Sequence, residues 1–422
     1  MSKNILFINC LLIDGHGGNP VPNSSVLVKS GLIETVGRGQ ELSGPSETEI
    51  FDLAGQTIMP GLIDAHVHYW GLSSMAALTW ILDDPTLRAM RSVMDAWKVV
   101  DMGFTTVRDC GGINGLFLKQ GIEEGRLVGP HIRAAGQIVT QTGGHGDPVH
   151  FVPVDWAKRA RIGRIADGVS EVRLAAREQL RAGADFLKIM TTGGVMSERD
   201  VSTSCQFSLE EIRAFVEEAK NAEVLTSSHA QGTLGIKNAL VCGIDCIEHG
   251  FYLDDECIEL LLENKAALVP ALAIVDAIAF KGPKAGVIES SVQKARVAQK
   301  AHLASFKKAY AAGVLCGLGT DYLTDPMTPM GENAVELELY VQKAGLSPME
   351  TLVCATKNNA KILGLEGRTG TLDPGCRADI LVVDGDPSLD ISVLRRRDKI
   401  TSIYKEGKLV PRFTNLQVEE NL

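Results

Sequence analysis

The feature that most constrains this chain is an alternation through its middle, where short apolar runs of strand length take turns with longer helix-like stretches. Eight runs can be read in order: GLIDAHVH, FTTVRD, HIRAAGQIVT, FLKIMTTG, VLTSSHA, CIEHG, ALVPALA and VLCGLGTD. Between them lie segments such as SEVRLAAREQLRAG, SLEEIRAFVEEAKNAE and LGIKNALVCG, with Ser near the starts and Gly near the ends of several. Unbroken apolar strands are buried on both faces, and eight strand-plus-helix units over about 300 residues are what a (β/α)8 TIM barrel requires. A doubly wound α/β sheet is the alternative, but no G-x-G-x-x-G turn follows the first run.

The two ends have another texture. ILFINCLLI and SSVLVKSGLIETVG at the start, and ADILVVDGDP and ITSIYKEGKLV at the end, are short β-rich stretches punctuated by Gly, Asn and Pro. Chain ends often lie close together, so we expect a composite β-sandwich domain from 1–58 and 368–422, with the barrel at 59–367.

Composition narrows the partners. With 422 residues, 45% hydrophobic and 22% charged, the chain can bury a large core and is a poor candidate for disorder. Acidic residues outnumber basic ones by 52 to 42, for a net charge of −10, and no cluster of five Lys or Arg occurs. A nucleic-acid or anionic-membrane partner is therefore not expected. The nine cysteines form no C-x-x-C pair and read as core thiols in a reducing compartment. The N-terminal apolar run breaks at Asp14 without a cleavage site, so cytoplasmic localisation is the expectation, with a homo-oligomer as the expected assembly.

Chemistry enters at the ends of the runs. His66 and His68 sit at i and i+2 in DAHVH, so on a strand both side chains face the same way and could grip one metal ion. Alone, H-x-H is a weak signal. Lys188 inside FLKIM, His229 ending VLTSSH, His249 ending CIEH and Asp321 ending VLCGLGTD strengthen it. These residues fall at or near the C-terminal ends of strands one, four, five, six and eight, the barrel face where active sites are built. Imidazole and carboxylate without thiolate suit zinc, manganese or cobalt, zinc foremost. An ammonium at Lys188 would cost several kcal/mol to bury unpaired, whereas the free amine can react with carbon dioxide to a carbamate able to bridge two cations. An ordinary Lys paired with an acid is the competing reading.

His145 in TGGHGD follows strand three, among glycines that let a loop approach a ligand closely. Arg108 after strand two could hold a carboxylate, or could pair with Asp109 or another acid. His16, His131, His150 and His302 lack matching partners and read as structural.

This set of residues, together with PGLIDAHVH after a β-rich start and GTLDPGCRADILVVDGDP near the end, resembles the amidohydrolase superfamily along the whole chain. TTVRDCGG, TGGHGD, the spacing of SSHA and IEHG, and GLGTD are similar to its imidazolonepropionase-related branch, which includes Xaa-Pro dipeptidases (prolidases) and Xaa-Arg carboxypeptidases. The resemblance implies two divalent metal ions: His66, His68 and Asp321 on one, His229 and His249 on the other, and carbamylated Lys188 bridging. It implies amide hydrolysis by a metal-bridging hydroxide, with Asp321 taking the proton from the attacking water and handing it to the leaving amine. His145 would contact the substrate. Many relatives carry His-Ala-Tyr after strand five with the tyrosine reaching the substrate, whereas this chain has Gln231 there. The expected substrate is a dipeptide or N-acyl amino acid with a free carboxylate, held by His145, Arg108 and Gln231. A cyclic amide, carbamate or urea-type molecule is the alternative.

Overall fold

The computed structural model describes residues 4–39, 44–45, 47–147, 149–197, 199–323 and 327–413. Five strands open the chain: β1 (Ile5–Leu12), β2 (Val21–Lys29), β3 (Leu32–Arg38), β4 (Glu49–Asp52) and β5 (Thr57–Pro60). The middle contributes β6 (Leu62–Val67), β7 (Phe104–Asp109), β8 (His131–Ala134), β9 (Ile138–Thr140), β10 (Gly163–Ile165), β11 (Phe186–Met190), β12 (Leu225–Ala230), β13 (Cys246–His249), β14 (Ala267–Val269) and β15 (Leu315–Cys316). The chain then returns through β16 (Ile380–Val383), β17 (Ile400–Lys405) and β18 (Lys408–Leu409).

The strands from the two ends form one mixed eight-stranded sheet, in which β5 pairs parallel with β1 and antiparallel with β16. Its buried side includes Ile5, Phe7, Val26, Val28, Ile58, Ile380 and Tyr404. The middle strands run parallel in two arcs, β6-β7-β8 and β10-β9-β11-β12-β13-β14-β15. The third apolar run is interrupted, so that β8 and β9 share its place, and Asp185 N–H donates to the Ala134 carbonyl to link β8 onward. At the other seam, the amides of Ala65, His68 and Asp321 bond to Leu318, Tyr322 and His66 across the first and last strands. Together these contacts close a (β/α)8 barrel.

Its strands are buried along nearly their whole length, β6, β7, β11 and β13 at every position, as strands sheathed by helices must be. Some helices start where the sequence marks them. Ser208 caps the helix Leu209–Asn221 by accepting from Glu211 N–H while the Glu211 side chain reaches back, the reciprocal arrangement that S-x-x-E encodes. Asp84 caps Pro85–Asp101 with proline in its first turn. Among the described residues no helix is long and apolar enough to cross a membrane.

Candidate active site

The two β6 histidines emerge side by side because they are two residues apart on a strand. Their Nε2 atoms lie 3.3 Å apart, and Asp321 Oδ1 lies 3.3 Å from His66 Nε2 and 3.2 Å from His68 Nε2. Three ligand atoms tetrahedrally arranged at about 2.05 Å from one ion would be separated by roughly 3.3 Å. The three donors therefore already sit at the spacing a first-row divalent ion imposes.

His249 and His229 continue the arc, with ring centroids 4.7 Å apart, and His249 Nε2 lies 3.8 Å from Asp321 Oδ2. Burial pushes the pKa of His66, His229 and His249 down, assisted at His229 by the neighbouring His145, His249 and Lys188, so these rings keep the lone pairs a ligand needs. Lys188 reaches the same cavity from β11. It is 2% exposed, and its Nζ is buried without a hydrogen bond. An amine left in this state calls for a counter-charge or a covalent partner. His249 and Asp321 also hold left-handed backbone, with φ of 73° and 56°. Such conformations are costly for residues with a Cβ and tend to cluster at functional sites.

A further layer of side chains fixes these donors. His66 Nδ1 lies 2.8 Å from Glu248 Oε2, and the other Glu248 oxygen accepts from Arg108 at 2.5 Å and from the Ser227 hydroxyl. Burial opposes the Glu248 charge, but Arg108, Lys188 and His66 more than compensate and hold its carboxyl well below the usual range. Asp64 accepts from the His66 and Thr320 amides at 3.0 and 3.1 Å, and from the Thr320 hydroxyl and Asn333 at 2.8 Å each. His68 Nδ1 lies 2.9 Å from the Gly111 carbonyl, which sets the tautomer that leaves Nε2 free. Sequence reasoning missed Asp64, Glu248 and Asn333. The signal for the two acids was present, since each is a charge inside an apolar strand, as Lys188 is.

Residues 57–410 match the model of the amidohydrolase family. The ochratoxinase of Aspergillus niger is 32% identical over 422 residues, spanning 94% of this chain and 85% of that one. A prolidase solved in complex with N-methylphosphonate-L-proline is 33% identical with a TM-score of 0.90, covering 97% of this chain and all of its own. A Xaa-Pro dipeptidase with methionine bound in its active site is 31% identical, with a TM-score of 0.86, covering 96% of this chain and 99% of its own. The chain belongs to the amidohydrolase family.

In this amidohydrolase the cavity at the donors is small, about 60 Å³, and mostly apolar. Among the described residues its wall includes Trp70, Trp80, Ile138, Ile162, Met190, Met196, Ile274 and Leu323. His145 lines it too, its ring stacked 4.2 Å from that of His229 and packed against the bare backbone of Gly194, where a Cβ would fall 2.2 Å from the imidazole. His145 Nδ1 lies 2.8 Å from the Ser197 hydroxyl, which donates to Asp200. Lys294 donates to three carbonyls of this loop, Gly194, Ser197 and Asp200, at 3.2, 2.8 and 2.6 Å.

Two expected substrate contacts stand elsewhere. Arg108 is not at the mouth as a carboxylate clamp: it is 3% exposed in the barrel interior, where Glu248 and the Ala65 carbonyl take its donors. The pairing with an acid is the reading that applies, because a buried guanidinium needs a nearby carboxylate, and Glu248 rather than Asp109 supplies it. Gln231 is buried just past β12 and is absent from the described cavity lining; its backbone N–H donates to the Thr192 hydroxyl. Of the histidines read as structural, His302 is buried and bonds the Pro270 carbonyl.

Proposed function

We propose that this amidohydrolase cleaves the amide bond of an N-acyl amino acid or dipeptide that presents a large apolar group to the site. The observation that carries the reading is the pairing of converging donors with an apolar wall, in which Trp70 and Trp80 stand with ring centroids 5.7 Å apart and Trp70 lies 4.5 Å from His68. The prolidase, Xaa-Pro dipeptidase and ochratoxinase relatives support an amide or peptide bond.

Two divalent ions, zinc by donor chemistry, would be held by His66, His68 and Asp321 and by His229 and His249, with Lys188 as a carbamate between them, supplying an acidified water and a polarised carbonyl. The side chains do the rest. Asp321, within 3.8 Å of three imidazoles, takes the proton of the attacking water and returns it to the leaving nitrogen, so amide and water become acid and amine. His145, its Nδ1 fixed by Ser197, presents its other ring nitrogen to the substrate. The tryptophans and methionines exclude water and seat the apolar group. With Arg108 committed to Glu248, His145 meets a substrate carboxylate only as the imidazolium, because its Nδ1–H is given to the Ser197 hydroxyl.

The test compares N-acyl amino acids with large aromatic and small acyl groups, each as the free acid and as the C-terminal amide. The aromatic acid should be cleaved fastest, and Trp80→Ala should narrow its advantage over the acetyl compound by about tenfold or more. Equal rates for acid and amide would favour a neutral cyclic amide, carbamate or urea instead. Indifference to acyl size would overturn the apolar seat.

A further inference from the structure

A second concavity lies at the opposite end of the barrel. It opens at the N-terminal ends of β8 and β11, between the barrel and the sheet built from the chain ends, with a volume of about 710 Å³. The hydrolytic donors sit at the C-terminal ends of the strands, so the two sites are separated by the barrel's length.

The charge of this cleft is unlike that of the chain. Six cations line it, Lys119, Arg133, Arg368, Arg377, Lys405 and Lys408, against the carboxylates of Glu123, Asp185 and Glu406 among the described residues. A protein of net charge −10 has gathered a cationic surplus in one place. Part of it is neutralised internally: Asp185 takes Lys119 at 2.6 Å and Arg133 at 3.1 Å. Arg377 Nε lies 3.3 Å from Asp379, a carboxylate that His131 also approaches at 3.4 Å, yet Arg377 Nη2 is buried and makes no hydrogen bond. Lys405 donates at 2.7 Å to the Gly129 carbonyl, and its burial lowers its pKa although Asp379 and Glu406 attract its charge against the repulsion of Arg377 and Lys408. Arg368 and Lys408 are exposed at the rim. Asp185, Asp379 and Glu406 offset only part of this positive charge, and a buried guanidinium donor left without an acceptor is costly.

Beside His131, the rest of the lining is mostly apolar, including Ile122, Leu127, Val128 and Val410, with Leu409 63% exposed. A bare inorganic ion would leave that surface wet. We infer that the cleft binds a small organic anion, whose charged group meets Arg368, Arg377, Lys405 and Lys408 and whose apolar body covers Leu409 and its neighbours. Arginine pairs suit the forked oxygens of a phosphate or carboxylate, and the mixed lining is that of a small-molecule pocket.

Calorimetric titration of the metal-loaded full chain with phenyl phosphate tests this, with inorganic phosphate as the head alone and benzyl alcohol as the body alone. Phenyl phosphate should bind saturably at one site per chain, and more tightly than either fragment. The double variant Arg368→Glu/Lys408→Glu should weaken it by about tenfold or more while leaving amide hydrolysis unchanged, because both residues are exposed and remote from the donors. Absence of saturable binding up to about 10 mM would overturn the inference. Affinity that survives the charge reversal would do the same, since it would place the ligand at the hydrolytic centre. Inorganic phosphate binding as tightly as the ester would overturn the apolar half of the site.

Discussion

His66 Nδ1 and the Glu248 carboxylate stand 2.8 Å apart with both side chains sealed from water. The nearby carboxylate favours the tautomer protonated at Nδ1, which leaves the Nε2 lone pair facing His68 and Asp321. Glu248→Gln should therefore weaken divalent-ion affinity by about tenfold to a hundredfold, measured by competition with a chelator. Because the change also strips Arg108 of its partner, Glu248→Gln/Arg108→Met should recover thermal stability but not ion affinity. Recovery of both would assign Glu248 to charge balance alone.

Lys188→Ala should abolish most hydrolysis and leave the fold intact, since Nζ makes no hydrogen bond that the fold would lose. A short carboxylic acid added in excess should restore part of the rate by replacing the carbamate. Mass spectrometry at neutral pH would show an added carbon dioxide on the wild type, and an unmodified amine in fully active protein would end this reading.

Elemental analysis should find close to two divalent ions per chain, and removing them should abolish hydrolysis. His249→Ala should remove one ion and lower kcat by several orders of magnitude, with unfolding temperature little changed after reloading. Full activity with a single ion would contradict the binuclear centre.

Lys294→Met should act on substrate binding rather than on ions. Its three bonds to the Gly194, Ser197 and Asp200 carbonyls hold the loop against which His145 is set. Freed, that loop should raise KM about tenfold with little change in ion content. The same loss should appear for Asp200→Ala, which removes the acceptor of Ser197, and should be small for Lys294→Arg. A fall in kcat with KM constant would show that the loop serves the chemistry instead.

The barrel was legible because its signal is repeated: eight apolar runs each carry the same message, and a misread in one would not change the count. The interrupted third run was harder, since HIRAAGQIVT reads as continuous and the break between β8 and β9 depends on partners elsewhere in the ring. Residues that face the cavity from strand ends, such as His66 and His249, could be picked out because strand period and strand terminus fix both direction and depth. Arg108 could not, because whether an arginine on β7 reaches solvent or folds back on Glu248 is decided by a strand more than a hundred residues later. Lys294 was invisible for a related reason: its bonds are to backbone carbonyls, which carry no sequence identity.

The joint between the first and last barrel strands has one more consequence. Asp64 holds Thr320 and Asn333 there, the Asp321 amide bonds the His66 carbonyl, and a Cβ on Gly319 would fall 2.7 Å from that of His66. The trio of His66, His68 and Asp321, proposed above to hold an ion, thus straddles the joint, so an ion bound there would act as a rivet between the chain's early and late halves. Opening the ring there would cost the ion's binding energy as well as the hydrogen bonds. In the ion-free protein, the Ala65, His68 and Asp321 amides should be among the first barrel amides to exchange with deuterium, and loading should slow them more than those of β11 or β12.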